Sequence, residues 1–244
     1  MRTISLAGLS AHVGGGSDGR GGGDGPVVVL LHGFGAPGTD LVPLGAEIRS
    51  EADVRFVFPM APHVLDRYSP PNAAARAWWM IDIEELQLAV LTRNYAELIE
   101  RRPEGIDAAR AQLEEFLELL LKELGASSER CVLGGFSQGA MLATDTLLRS
   151  ERRYAGLLAM SGTLLTRSEW SALLPKQQGL PVLVSHGDQD PILPFELADE
   201  LRTLFSNAGL DVEWVPFRGG HGIPGPALQK ASAVIAKAFG QRST

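Results

Sequence analysis

The 244-residue chain has a single cysteine, Cys131, so an internal disulfide is excluded. Cys131 opens an apolar run, where a small hydrophobe packs well, and it is read as a core residue. No apolar stretch reaches the roughly 20 residues needed to cross a bilayer. Met1-Arg2-Thr3-Ile4-Ser5 lacks the charged start and apolar stretch of an export signal, so a cytoplasmic protein without an integral membrane segment is expected. Positive charge is also short. The 22 Lys and Arg are scattered against 29 Asp and Glu, a formal net charge of -7, which speaks against a nucleic-acid or anionic lipid partner. His-Glu-x-x-His and close His/Cys pairs are missing, so no metal and no other cofactor is expected. Nothing in the composition speaks against a homodimer.

What is present suits one α/β domain over residues 1–244: 45% of residues are hydrophobic and 21% charged. Apolar runs rich in branched residues at 27–31, 54–58, 130–134, 156–160 and 181–185 read as buried strands. Between most of them lie helical patterns. Leu113, Phe116, Leu117, Leu120, Leu121 and Leu124 recur at helical spacing in 106–124, and 195–205 and 226–239 behave alike. Alternating strand and helix predicts a mainly parallel central sheet with helices on both faces. Residues 3–13 read as an edge hairpin with the next strand. The joining stretch 14–25, eight of whose twelve residues are glycine, reads as a flexible loop.

Chemistry concentrates in Gly135-Phe136-Ser137-Gln138-Gly139, a Gly-x-Ser-x-Gly placed after an apolar run and before a helix-forming segment. A sharp strand-to-helix turn would hold the Ser137 hydroxyl where a histidine can take its proton. Gly15-Gly16-Ser17-Asp18-Gly19 has the same pattern without a following helix and is discounted. The required acid follows the 181–185 strand in His186-Gly187-Asp188-Gln189-Asp190, so Asp190 or Asp188 can face the site. Of five histidines, His221 alone follows that acid in the order Ser, acid, His. His186 and His32 precede glycines at strand ends and read as structural hydrogen-bonders. Donors for a developing oxyanion are available as the backbone N–H of Phe34, in His32-Gly33-Phe34-Gly35, and of Gln138.

These motifs in this order, with His186-Gly187-x-x-Asp190-x-x-Leu193-Pro194 and Gly220-His221, resemble the phospholipase/carboxylesterase family of α/β-hydrolases, which includes the acyl-protein thioesterases. The resemblance spans nearly the whole chain and implies an α/β-hydrolase fold. It implies Ser137, Asp190 and His221 as the triad, and hydrolysis of a carboxylic ester or thioester through an acyl-enzyme. Ala36-Pro37 and Gly222 depart from residues common in relatives, and a longer segment, 82–105, follows Trp78-Trp79.

The expected activity is a serine carboxylesterase acting on small-molecule esters of short to medium acyl chains. A thioesterase or lysophospholipase with the same triad is the alternative. A catalytically silent hydrolase-fold binding protein is the reading from another class, and it would ordinarily lack a triad member. Trp78 and Trp79 are candidates for binding the acyl or aryl group, or else they pack a core strand. Within 84–100, Leu88, Leu91, Tyr95, Leu98 and Ile99 share one helical face. Leu91 and Tyr95 are therefore candidates for contacting substrate from a cap, unless the segment is only an extra helix on the scaffold.

Overall fold

A computed structural model describes residues 1–50, 53–66, 68–70 and 73–240. In chain order the first half comprises β1 (Arg2–Leu6), β2 (Leu9–Gly16), β3 (Arg20–Gly22), β4 (Val27–Leu31), α1 (Leu44–Glu47), β5 (Arg55–Pro59), β6 (His63–Val64), β7 (Arg76–Ala77), α2 (Ile83–Thr92), α3 (Ala96–Glu100) and α4 (Ile106–Glu123). There follow β8 (Cys131–Phe136), α5 (Gln138–Arg149), β9 (Gly156–Met160), α6 (Arg167–Leu173), β10 (Pro181–Gly187), α7 (Phe195–Asn207), β11 (Asp211–Phe217) and α8 (Gly225–Ala238).

β4 reads Val-Val-Val-Leu-Leu and is buried throughout. Because successive side chains leave a strand on opposite faces, Val27, Val29 and Leu31 enter one core while Val28 and Leu30 enter the other. A strand with no polar side must be covered on both faces. α4, α5 and α7 cover the first face; in α4 the buried stripe Leu113, Phe116, Leu117, Leu120 and Leu121 makes the contact. α8 covers the second with Leu228, Ala231, Val234 and Ile235.

The main sheet runs β1-β2-β5-β4-β8-β9-β10-β11, with β3 on β2. From β5 to β11 every neighbouring pair is parallel. Leu31 lies opposite Gly135, Phe136 opposite Met160, and Gly187 opposite Phe217. The carboxyl ends of β4, β8, β9, β10 and β11 therefore share one edge, where ligands of open α/β sheets bind.

Three expectations need correction. Residues 3–13 pair within themselves, as β1 with β2 through Ala7 and Gly8 at φ 47° and 74°, and β2 then runs antiparallel to β5 rather than to β4. The glycine stretch is not a loose loop. β2 continues to Gly16, β3 pairs with it, and the Asp18 carboxylate accepts the N–H groups of Arg20 and Gly22 at 2.7 and 2.8 Å. A Cβ on Gly15 would sit 2.2 Å from the Val54 carbonyl oxygen, so glycine serves close backbone approach there. The 84–100 helix is two helices, α2 and α3, broken where Arg93 turns left-handed at φ 54°.

Candidate active site

Between β8 and α5 the chain reverses at Ser137, whose φ of 54° and ψ of -120° are costly for a residue with a side chain. The neighbouring glycines make the turn possible. A Cβ at Gly139 would lie 2.0 Å, and one at Gly135 2.5 Å, from the Leu31 carbonyl oxygen. Ser137 donates its own N–H to Met160 at 2.9 Å, which fixes the turn to the end of β9. Gln138 follows as the first residue of α5, where a helix offers its leading N–H groups no acceptor and its dipole is positive. The turn after β4 abuts this one: a Cβ at Gly33 would be 3.3 Å from Ser137 Cβ. Among the described residues the Phe34 N–H in that turn has no acceptor.

His221 Nδ1 lies 2.6 Å from Asp190 Oδ2. A carboxylate only accepts, so Nδ1 carries the proton and Nε2 is left as the acceptor. His221 and Ser137 line the same cavity without a direct hydrogen bond between them. The Asp190 side chain is 0% exposed. Its Oδ1 accepts N–H groups from Ile192 and Leu193 at 2.9 and 3.0 Å, and Oδ2 is also 3.2 Å from His186 Nε2. Burial pushes its pKa up, but hydrogen bonds from His186, His221, Leu193 and Ile192 outweigh this and hold it well below the usual carboxylate range. Asp188 is exposed and braces the approach to His221 by accepting the Gly219 N–H at 3.1 Å. Buried Ser161 grips the same loop from β9, its hydroxyl donating to Gly222 at 2.8 Å.

The two other histidines at strand ends are buried and bonded. His186 Nε2 donates to the Leu193 carbonyl at 2.8 Å. His32 Nε2 accepts the Ala61 N–H at 3.0 Å, so Nδ1 is the protonated nitrogen facing the Gly33 carbonyl at 2.9 Å. Burial, with a smaller push from Arg76, lowers the His32 pKa to about 4.

The cavity holds about 1270 Å³ and runs from Phe34, Ser137 and His221 beneath α2 to Met141, Leu165 and Leu197. Trp79 and Leu91 line it; Trp78 and Tyr95 do not. Trp78 is buried and turned into the scaffold, its indole N–H donating to the His32 carbonyl at 2.9 Å, and Tyr95 packs against the core. Neither tryptophan lies in a strand; both follow β7 in a bend. Arg101 and Arg102 also reach the cavity wall, Arg101 paired with Glu85 and Arg102 with Asp107 and Glu169. Sequence reasoning missed the Ser161 brace, the approach of His186 to Asp190 and the side chain of Gln138. The His186-Gly187-x-x-Asp190 spacing was the available signal for the second. Among the described residues no three His, Cys, Asp or Glu side chains gather as metal ligands would, and no helix is long and apolar enough to cross a membrane.

Comparison with known proteins shows the family and the fold. The family description Phospholipase/Carboxylesterase matches residues 22–239. Acyl-protein thioesterase 1 of Neurospora crassa is 28% identical over 207 residues, 80% of this chain and 79% of that protein. Acyl-protein thioesterase 1 of Kluyveromyces lactis is 30% identical over 186 residues, 73% and 75% of the two chains. The crystal structure of esterase PE8 superimposes with a TM-score of 0.76 at 30% identity, covering 96% of this chain and all of the other. With a family match over most of its length and the matching fold, the chain belongs to the phospholipase/carboxylesterase family of α/β-hydrolases.

Proposed function

We propose that this chain is a serine carboxylesterase in which Ser137 attacks the acyl carbonyl and His221 takes its proton. The observation that carries the reading is the 2.6 Å hydrogen bond from His221 to buried Asp190, on the wall of the cavity that Ser137 also lines. Asp190 holds the ring in the Nδ1–H tautomer, which directs the basic Nε2 toward the hydroxyl. The Phe34 and Gln138 amides receive the oxyanion of the tetrahedral intermediate. His221 then returns the proton to the departing alkoxide, leaving an acyl-enzyme, and activates the water that releases the acid.

The apolar cavity supports an apolar acyl group, with Trp79 and Leu91 as its contacts. The whole chain works as one hydrolase domain with 82–105 as its cap. A preference for short to medium chains requires that α2 restrict the cavity, whose volume exceeds what a short acyl group fills. The thioesterase reading is favoured by relatives named acyl-protein thioesterase 1 at 28% and 30% identity. Rates on oxygen esters and thioesters of the same acyl groups, across a chain-length series, separate the two. Labelling by a fluorophosphonate probe that Ser137→Ala abolishes is expected. An unlabelled wild-type protein would leave a binding scaffold as the better account.

A further inference from the structure

The 138 side chain has no part in the chemistry just described, yet it is fully buried beside it. Its carboxamide pairs in both directions with a backbone segment 60 residues earlier. Gln138 Oε1 accepts the Trp78 N–H at 2.9 Å, and Nε2 donates to the Trp79 carbonyl at 2.8 Å. A side-chain amide thus takes the place of a neighbouring strand's peptide, satisfying one donor and one acceptor that burial would otherwise leave unpaired.

The same segment is tied to the turn that carries Phe34. Gly35 donates to the Arg76 carbonyl at 2.8 Å, and Arg76 donates back to Ala36 at 3.1 Å. Trp78 Nε1 donates to the His32 carbonyl at 2.9 Å, two residues before Phe34. Residues 76–79 therefore form a strut. One end grips the turn holding the Phe34 N–H, the other grips the residue whose own N–H faces the same site, and Trp79 forms a cavity wall between them.

We propose that Gln138 is a positioning residue: its carboxamide, acting through Trp78 and Trp79, sets the spacing of the two oxyanion amides and fixes the Trp79 wall. This rests on the reading of Ser137 as nucleophile with Phe34 and Gln138 as amide donors. Every substitution at 138 other than proline keeps the backbone N–H, so side-chain variants isolate spacing from loss of a donor. Displacing reacting groups by about an ångström costs on the order of 100-fold in rate.

The test compares Gln138→Met, which removes both bonds at similar volume, with Trp78→Phe, which keeps both but removes the bond to His32 together with part of a buried ring. Gln112→Met is the control, since it loses a side-chain amide bond to Ala7 at the distant sheet edge. Each is assayed for kcat and KM on a p-nitrophenyl ester, for inhibition by an arylboronic acid that mimics the tetrahedral adduct, and for Tm. Gln138→Met should lower kcat about 10- to 100-fold, weaken the boronic acid in parallel and raise KM by about threefold or less as the Trp79 wall loosens. Trp78→Phe should lose about fivefold in kcat, and Gln112→Met nothing. A Gln138→Met protein with reduced Tm but wild-type kcat and boronate inhibition would show a merely structural glutamine and overturn the proposal. Should Gln138→Met not fold, Gln138→Asn decides: its carboxamide is one methylene too short to reach both backbone partners, and wild-type kcat and inhibition there also overturn the proposal. Ser137→Ala run beside them distinguishes the deeper failure, because activity surviving in that variant removes the catalytic reading itself.

Discussion

Asp190 is clasped by two histidines and two backbone N–H groups with none of its side chain exposed, whereas across the same cavity α2 buries none of its ten side chains and leaves Leu91 83% exposed. The first region is cut from strand ends that the whole sheet holds. The second rests on partial contacts from Leu86 and on the ion pair of Glu85 with Arg101. Segments with few buried contacts open at low cost, while strand ends open only with the fold. On the proposed reading, the bond-breaking groups and the inner wall at Trp79 sit where geometry is fixed, and Leu91 on the outer wall sits where change is cheap.

The sharpest contrast is kinetic. Ser137→Ala should lower kcat by about 10³- to 10⁶-fold with the fold intact, while Ser17→Ala in the decoy motif should have no measurable effect. Comparable losses in both would break the comparison at its root. Next is the acid. Asp190→Asn should cost about 10⁴ in kcat, as for an orienting aspartate, and Asp188→Asn, which only braces the Gly219 turn, about tenfold or less. The reverse order would move the acid to Asp188.

A third effect concerns stability at the scaffold side alone. The folded His32 pKa is about 4 against an ordinary 6.5. The unfolded chain therefore takes up that proton first, so stability falls as pH drops below 6.5 and the loss is complete near pH 4, amounting to at most about 3 kcal/mol. Denaturant titrations at about pH 7.5 and about pH 4.5 should show a smaller pH dependence in His32→Gln than in wild type. An equal dependence removes His32 as its source.

The smallest effects discriminate within segment 82–105. Leu91→Ser should change stability by less than about 0.5 kcal/mol yet shift relative rates along an ester chain-length series by roughly tenfold for each methylene that no longer packs against the cap. Ile99→Ala, at a residue only 6% exposed, should cost about 2 kcal/mol or more and leave those relative rates alone. If Leu91→Ser lowers Tm and leaves the series unchanged, α2 is packing and not a cap.

The parallel strands are legible because branched apolar runs such as 27–31 carry no polar side. The elbow is legible because Ser137 has a strand before it and a helix after it, which Ser17 lacks. Other features depend on partners far away in sequence. A run of glycines looks the same whether it is loose or pressed against Val54 and Gly22, and only strand register decides. Trp78 and Trp79 are adjacent and chemically alike, and the carboxamide at position 138 clasps their backbone from 60 residues away while only Trp79 reaches the cavity. The break at Arg93 has no glycine or proline to announce it, so a single apolar stripe reads as one helix.

Insertions and deletions should be filtered unevenly along this chain because of the 76–79 strut. Its two ends are gripped by the turn holding Phe34 and by the residue after Ser137, so adding or removing one residue between Gly35's partner and Gln138's partners would shift the register of every bond in between. Length variation there would be felt at Ser137 and the Phe34 turn, whereas a residue added in the exposed turn at 93–94 meets no such constraint. If 82–105 is the cap proposed above, a lineage of such enzymes can rework it by changing length and the inner wall only by exchanging side chains, which confines rapid divergence in substrate choice to the outer half of the cavity.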